Sequence, residues 1–143
     1  MNTEELHLIR FEELYERYMA DPSEEGSSLL IAETVRLIRK ENPVIICGLN
    51  HDGKTDPQGY YGPDGRFYFH VFTGMEKLLH SGFGHPAAVR LSDLYGSALT
   101  NDIIGGISLN YAQENGALLI NKEDLSEGIA LYDRLHGVKA DEE

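Results

Sequence analysis

The chain is expected to fold as one α+β domain, two N-terminal helices followed by a mixed five-stranded sheet with helices packed on it. Three observations predict this. The first forty residues carry apolar side chains at helical spacing, short runs further on alternate with a period of two, and helix signals fall between those runs rather than after them. A chain of 143 residues fits a single domain, with its core expected over residues 10–135.

The first helix is placed at residues 2–20, where Phe11, Leu14, Tyr15 and Tyr18 fall at i, i+3, i+4 and i+7. Asp21-Pro22 ends it and reads as the start of the next, with Asp21 as N-cap, Pro22 at the first helical position and Glu24 closing a capping box. The second helix runs to about Glu41 on a stripe of Leu30, Ile31, Val35, Leu37 and Ile38, and Pro43 stops it. Residues 44–49 form a short strand that is apolar on both faces apart from Gly48. Residues 50–66 are expected to be a polar loop with Asp52-Gly53 and Pro63-Asp64-Gly65 turns. The strand at 67–73 should point Phe67, Phe69 and Val71 one way, and Tyr68, His70 and Phe72 the other. Thr73 with Glu76 reads as a capping box that opens a short helix to Ser81.

Ala87, Val89 and Leu91 mark a third strand, and Ser92 is expected to cap a helix over residues 93–102. Ile107, Leu109 and Tyr111 alternate along a fourth strand, and Asn115-Gly116 turns it into a fifth at 117–120. Asn121 and Asp124 open a final helix that ends before Gly137, and the charged residues 139–143 are expected to fray. The order is α-α-β-β-α-β-α-β-β-α, without an internal repeat.

The stretch 65–73, Gly-Arg-Phe-Tyr-Phe-His-Val-Phe-Thr, resembles the signature of the SseB N-terminal domain family. Its context resembles the family on both sides. Residues 11–41 look like its helix, Asp-Pro break and second helix. Residues 89–94 look like a strand entering a helix, and residues 105–110 like a strand that ends in Asn. The chain departs from the pattern where Tyr111, rather than Pro, follows Asn110, and the second domain of longer members is not expected within these 143 residues. The resemblance implies a fold and a binding role, and carries no catalytic residues with it.

Charge narrows the functions further. The net charge is −12, from 24 acidic and 12 basic residues, and the basic ones are scattered, which disfavours nucleic acid as a partner. No run approaches the roughly 18 apolar residues of a membrane span. No leader-like segment opens the chain, and the single Cys47 cannot form an internal disulfide, so a reducing cytoplasmic setting is expected.

Among residues with chemistry, Cys47 could act as a nucleophile with His51 or His70 as its base, but it sits in an apolar run where free cysteine belongs to the core. His80 and His85 flank Ser81-Gly82-Phe83-Gly84 without further zinc ligands and read as ends of a flexible connector. Asn50, Asp52, Asp56 and Asp64 offer oxygen ligands to a cation, but turn chemistry explains them equally, and no cofactor or metal is expected. Tyr60 and Tyr61 on the same loop, with Asp52 and Asp56 beside them, read as contact residues, and Asn110 with Tyr111 form a second contact at a strand end. The expected function is a non-enzymatic protein-binding module with an unidentified protein partner, self-association being left open. The alternative is a small hydrolase that uses Cys47 or a cation held within residues 50–66.

Overall fold

The computed structural model describes residues 5–51 and 54–137, the side chains of 49–51 and 54 excepted. Five helices and seven strands follow in the order α1 (Ile9–Ala20), α2 (Glu24–Arg39), β1 (Pro43–His51), β2 (Lys54–Pro57), β3 (Gly59–Tyr61), β4 (Phe67–Val71), α3 (Met75–Ser81), β5 (Pro86–Arg90), α4 (Leu91–Leu99), β6 (Ile104–Ala112), β7 (Gly116–Asn121) and α5 (Lys122–Leu135). The class is α+β, as expected. The polar stretch 50–66 is not a structureless loop: it contains β2 and β3, so the sheet region has seven strands rather than five. β2 pairs back on β1, with Leu49 opposite Asp56, while β3 pairs with β4, with Tyr60 opposite Tyr68.

Two sheets result, ordered β2-β1-β5 and β3-β4-β6-β7. The four-stranded sheet is mixed in direction, because β4 and β6 run parallel, while every other pair in both sheets runs antiparallel. The seam between them is narrow. Ile45 of β1 faces Phe72 just past β4, and the Phe72 N–H donates to the Ile45 carbonyl at 2.8 Å. β1 is apolar on both sides because both are covered, Val44 and Ile46 reaching the main core and Ile45 and Cys47 a smaller cluster with Phe72 and Leu78. The main core lies between the helices and one face of the sheets, where Phe69, Val71, Ile107 and Leu109 meet Phe11, Leu37 and Leu125.

Local starts and stops differ from the expected ones in several places, and α1 begins at Ile9 rather than at residue 2 while α4 ends at Leu99 rather than at 102. Ser23, not Asp21, caps α2, its hydroxyl accepting from the Gly26 N–H at 2.9 Å, which leaves Pro22 outside the helix. Leu91 is the first residue of α4, and Arg90, rather than Ser92, holds the cap position without a side-chain cap bond. α3 begins at Met75 behind Gly74 and has no side-chain cap, so the Thr73–Glu76 capping box does not form. By contrast Asn121 caps α5 as expected, accepting from the Asp124 N–H at 2.8 Å. Gly116, at φ 70, supplies the left-handed step of the β6–β7 turn. Among the described residues no helix is long and apolar enough to cross a membrane.

Candidate functional site

A strand sends alternate side chains to opposite faces, and β4 uses both. Phe69 and Val71 enter the main core, while His70 faces away from the large helices. His70 is nonetheless 3 % exposed, and the parallel register sets Ser108 of β6 directly beside it. Their contact, Nδ1 to Oγ at 3.2 Å, is the hydrogen bond that holds the imidazole. Burial pushes the His70 pKa down to about 4, so the ring is neutral near pH 7.

Aromatic rings cover this histidine. Tyr60 of β3 stacks parallel to it, with centroids 5.8 Å apart and planes 4° from coplanar. Phe83, in the connector after α3, lies 4.9 Å away, and Tyr111 of β6 lies 5.1 Å away. Phe83 and Tyr111 stack on each other at 5.7 Å, and Tyr60 reaches Tyr111 at 6.2 Å. Phe83 is exposed, while Tyr60 and Tyr111 are half-buried, so the rings form a surface patch with a buried imidazole floor.

Tyr111 joins this patch through a backbone irregularity. Regular alternation would carry Tyr111 to the face opposite Ser108. Instead the β6–β7 register shifts between Leu109 and Ala112, and Asn110 takes φ 50 in the left-handed region. Such a bulge re-aims the following side chain, and Asn tolerates the conformation better than most residues.

Asn110 is itself buried and is a structural tie. Its Oδ1 accepts from the Thr73 N–H at 2.9 Å, and its Nδ2 donates to Thr73 Oγ1 at 3.1 Å. Thr73 Oγ1 in turn donates to Glu12 Oε1 of α1 at 2.7 Å, while the Tyr15 hydroxyl donates to the Asn110 carbonyl at 3.3 Å. Partial burial alone would raise the Glu12 pKa, but hydrogen bonds from Thr73 and His7 outweigh it and hold the pKa low. The Thr73 hydroxyl expected to cap α3 is thus committed to joining the sheet to α1.

The remaining candidates scatter. Tyr61 points away from Tyr60, is 64 % exposed, and meets Phe67 edge-on at 5.4 Å. Asp56 is exposed on β2, and Asp52 lies outside the described residues. Asp64 is committed elsewhere: the Tyr68 hydroxyl donates to it at 2.7 Å and Arg66 Nε at 2.9 Å, and these bonds lower its pKa to about 2. Arg66 also reaches Glu123 of α5 at 2.8 Å, so the Pro63-Asp64-Gly65 turn anchors β4 to a helix rather than framing a cation. His80 pairs with Glu114 and His85 is exposed with φ 56, so the two histidines share no ligand set. Among the described residues no three His, Cys, Asp or Glu side chains converge as metal ligands would.

Cys47 is 3 % exposed against Phe72 and Leu78, and desolvation raises its pKa, the reverse of what a reactive thiolate needs. Sequence reasoning missed Phe83, set aside between two glycines, and Ser108, which becomes visible only through the β4–β6 register. The outward alternation of His70 was legible. No protein family, curated protein or solved structure matches this chain, so the functional reading rests on the geometry of the aromatic patch.

Proposed function

We propose that the chain is a non-enzymatic protein-binding module whose contact surface is the ring patch of Tyr60, Phe83 and Tyr111 over His70. The carrying observation is that three aromatic side chains from three separate segments gather at the surface around one neutral, buried imidazole. Rings held rigidly and still reachable by solvent are the side chains that dominate binding energy at interfaces, because little freedom remains to be lost on docking. The likeness of residues 65–73 to the SseB N-terminal signature supports the same reading, and the setting we propose for it is a reducing, cytoplasmic one. A hydrolytic reading has less support, since Cys47 is enclosed by apolar groups and its thiol is disfavoured from ionising.

The test is affinity capture from the native cell with the wild-type chain and with Tyr60→Ala/Tyr111→Ala, both checked for an intact fold by circular dichroism. Proteins retained by the wild type and lost by the folded variant support the patch. A variant that captures the same proteins at full yield removes the patch as the binding surface.

A further inference from the structure

The ring patch has a geometry that selects among ligands. The planes of its contacting rings, Tyr60, His70, Phe83 and Tyr111, meet at angles from 4° to 46°, closer to parallel than to perpendicular. A cage for a quaternary ammonium or a methylated lysine needs ring faces that wall in one point. Rings this nearly aligned form a ridged shelf instead. Charge removes a second class of ligand. Among the described residues the cation that stacks on a ring is Lys77, and it lies over Tyr15, not over the patch. Arg66, which touches the Tyr68 hydroxyl beside the patch, is already paired with Asp64 and Glu123. A phosphorylated or acidic segment finds no free cation there and faces a chain of net charge −12.

Backbone chemistry separates what remains. A helix satisfies its own carbonyls and offers none to a surface. An added strand needs an edge that supplies both N–H and C=O groups, and β3, the edge strand at the patch, is only three residues long. A polyproline II segment leaves its carbonyls unbonded, and its prolines carry no N–H that needs a partner. It therefore requires donors alone, and the patch supplies them. The hydroxyls of Tyr15, Tyr68 and Tyr95 are spent on bonds within the fold. Among the described residues those of Tyr60 and Tyr111 bond to nothing, and no buried side-chain oxygen is left without a partner, so both reach water. Burial raises the Tyr60 pKa, which keeps its phenol protonated as a donor. The spacing agrees as well. Tyr111 lies 6.2 Å from Tyr60 and 5.7 Å from Phe83, and one polyproline II turn advances about 9 Å. Prolines one turn apart can thus rest on the two ends of this row.

On the reading that the ring patch is the contact surface, we infer that it takes a proline-rich segment in the polyproline II conformation. The rings hold the pyrrolidine faces, and the Tyr60 and Tyr111 hydroxyls donate to the segment's carbonyls.

Amide-resolved NMR titration of the full-length chain tests this, with a synthetic oligoproline of about twelve residues as the probe. The amide resonances of Tyr60, Phe83 and Tyr111 are expected to shift and to saturate below roughly millimolar peptide. An alanine-rich helical peptide of equal length is expected to leave them unmoved. Tyr60→Phe/Tyr111→Phe keeps every ring and removes only the donors. With its fold confirmed by circular dichroism, this variant is expected to bind oligoproline roughly tenfold or more weakly. Three results would overturn the inference. They are no saturable shift up to roughly millimolar oligoproline, equal binding of the helical peptide, or unchanged affinity in Tyr60→Phe/Tyr111→Phe. If folded Tyr60→Ala/Tyr111→Ala still loses its captured proteins in any of these cases, the patch remains the contact surface and only the proline-rich ligand is struck.

Discussion

The two faces of the four-stranded sheet solve opposite problems with neighbouring residues. Toward the large helices, β4 and β6 present Phe69, Val71, Ile107 and Leu109, which belong to one continuous apolar cluster with the helices. On the other side the same strands present His70 and Ser108, which are as deeply buried yet polar. Their hydrogen bond and a cover of Tyr60, Phe83 and Tyr111 make that burial tolerable. One face gains stability by excluding water entirely. The other retains polar atoms and leaves its rings at the surface, where a second molecule can reach them. Burial alone therefore does not separate core from site, and what covers a residue matters as much as how deeply it lies.

The sharpest way to break this contrast is Leu109→Ala, which empties a fully buried position on the sealed face. It should cost about 3–4 kcal/mol in urea denaturation and leave the ring patch intact in the protein that remains folded. A loss below 1 kcal/mol would mean that the sealed face collapses around the cavity.

The polar face should instead reveal itself through pH. The folded-state pKa of His70 is about 4 against an ordinary 6.5, so the unfolded chain binds the proton more readily. The contribution of His70 is therefore fully present above pH 6.5 and disappears as pH falls toward 4, about 3 kcal/mol in all. Chemical denaturation at pH 7.5 and pH 4.5 should show this loss in the wild type and a clearly smaller one in His70→Phe. Equal losses in both proteins would assign the acid sensitivity to carboxylates instead.

Asn110→Ala comes next. It places a non-glycine, non-Asn residue at φ 50 and leaves the Thr73 N–H without its acceptor. The expected cost is about 2 kcal/mol. Asn110→Gly, which relieves the backbone without restoring the bond, should lose less.

The smallest effect separates the paired tyrosines. Tyr61→Ala should change stability by less than about 0.5 kcal/mol, since its ring is mostly in solvent. Tyr60→Ala should cost about 1 kcal/mol through the lost stack on His70. In the capture experiment Tyr60→Ala should reduce recovery and Tyr61→Ala should not.

Much of the fold was legible because it follows from local rules. The two-sided apolar run at 44–47, the alternation along 67–72, the Asn-Gly turn and the Asn121 cap each leave a mark within a few residues. β2 and β3 left none, because short polar strands paired along a sheet edge carry no apolar period. The capping box at Thr73 met the local rule and failed because Glu12 and Asn110, distant in sequence, offered its hydroxyl better partners. The site was half legible for the same reason. Tyr60, Asn110 and Tyr111 were singled out by residue type, but the bulge in β6 brings Tyr111 to the patch, and the antiparallel β3–β4 pairing puts Tyr60 rather than Tyr61 on the His70 face.

The ring patch is also a record of completed folding. Its members come from β3, β4, the connector after α3 and β6, and they meet only once β4 and β6 have paired across the intervening helices. Closing so long a loop is expected to be slow compared with forming the α1–α2 or β6–β7 hairpins, so the surface is expected among the later features a folding chain acquires. A nascent or partly unfolded chain does not display it. Any molecule that recognises the patch therefore discriminates native from immature protein, and by mass action its binding draws the chain toward the finished state.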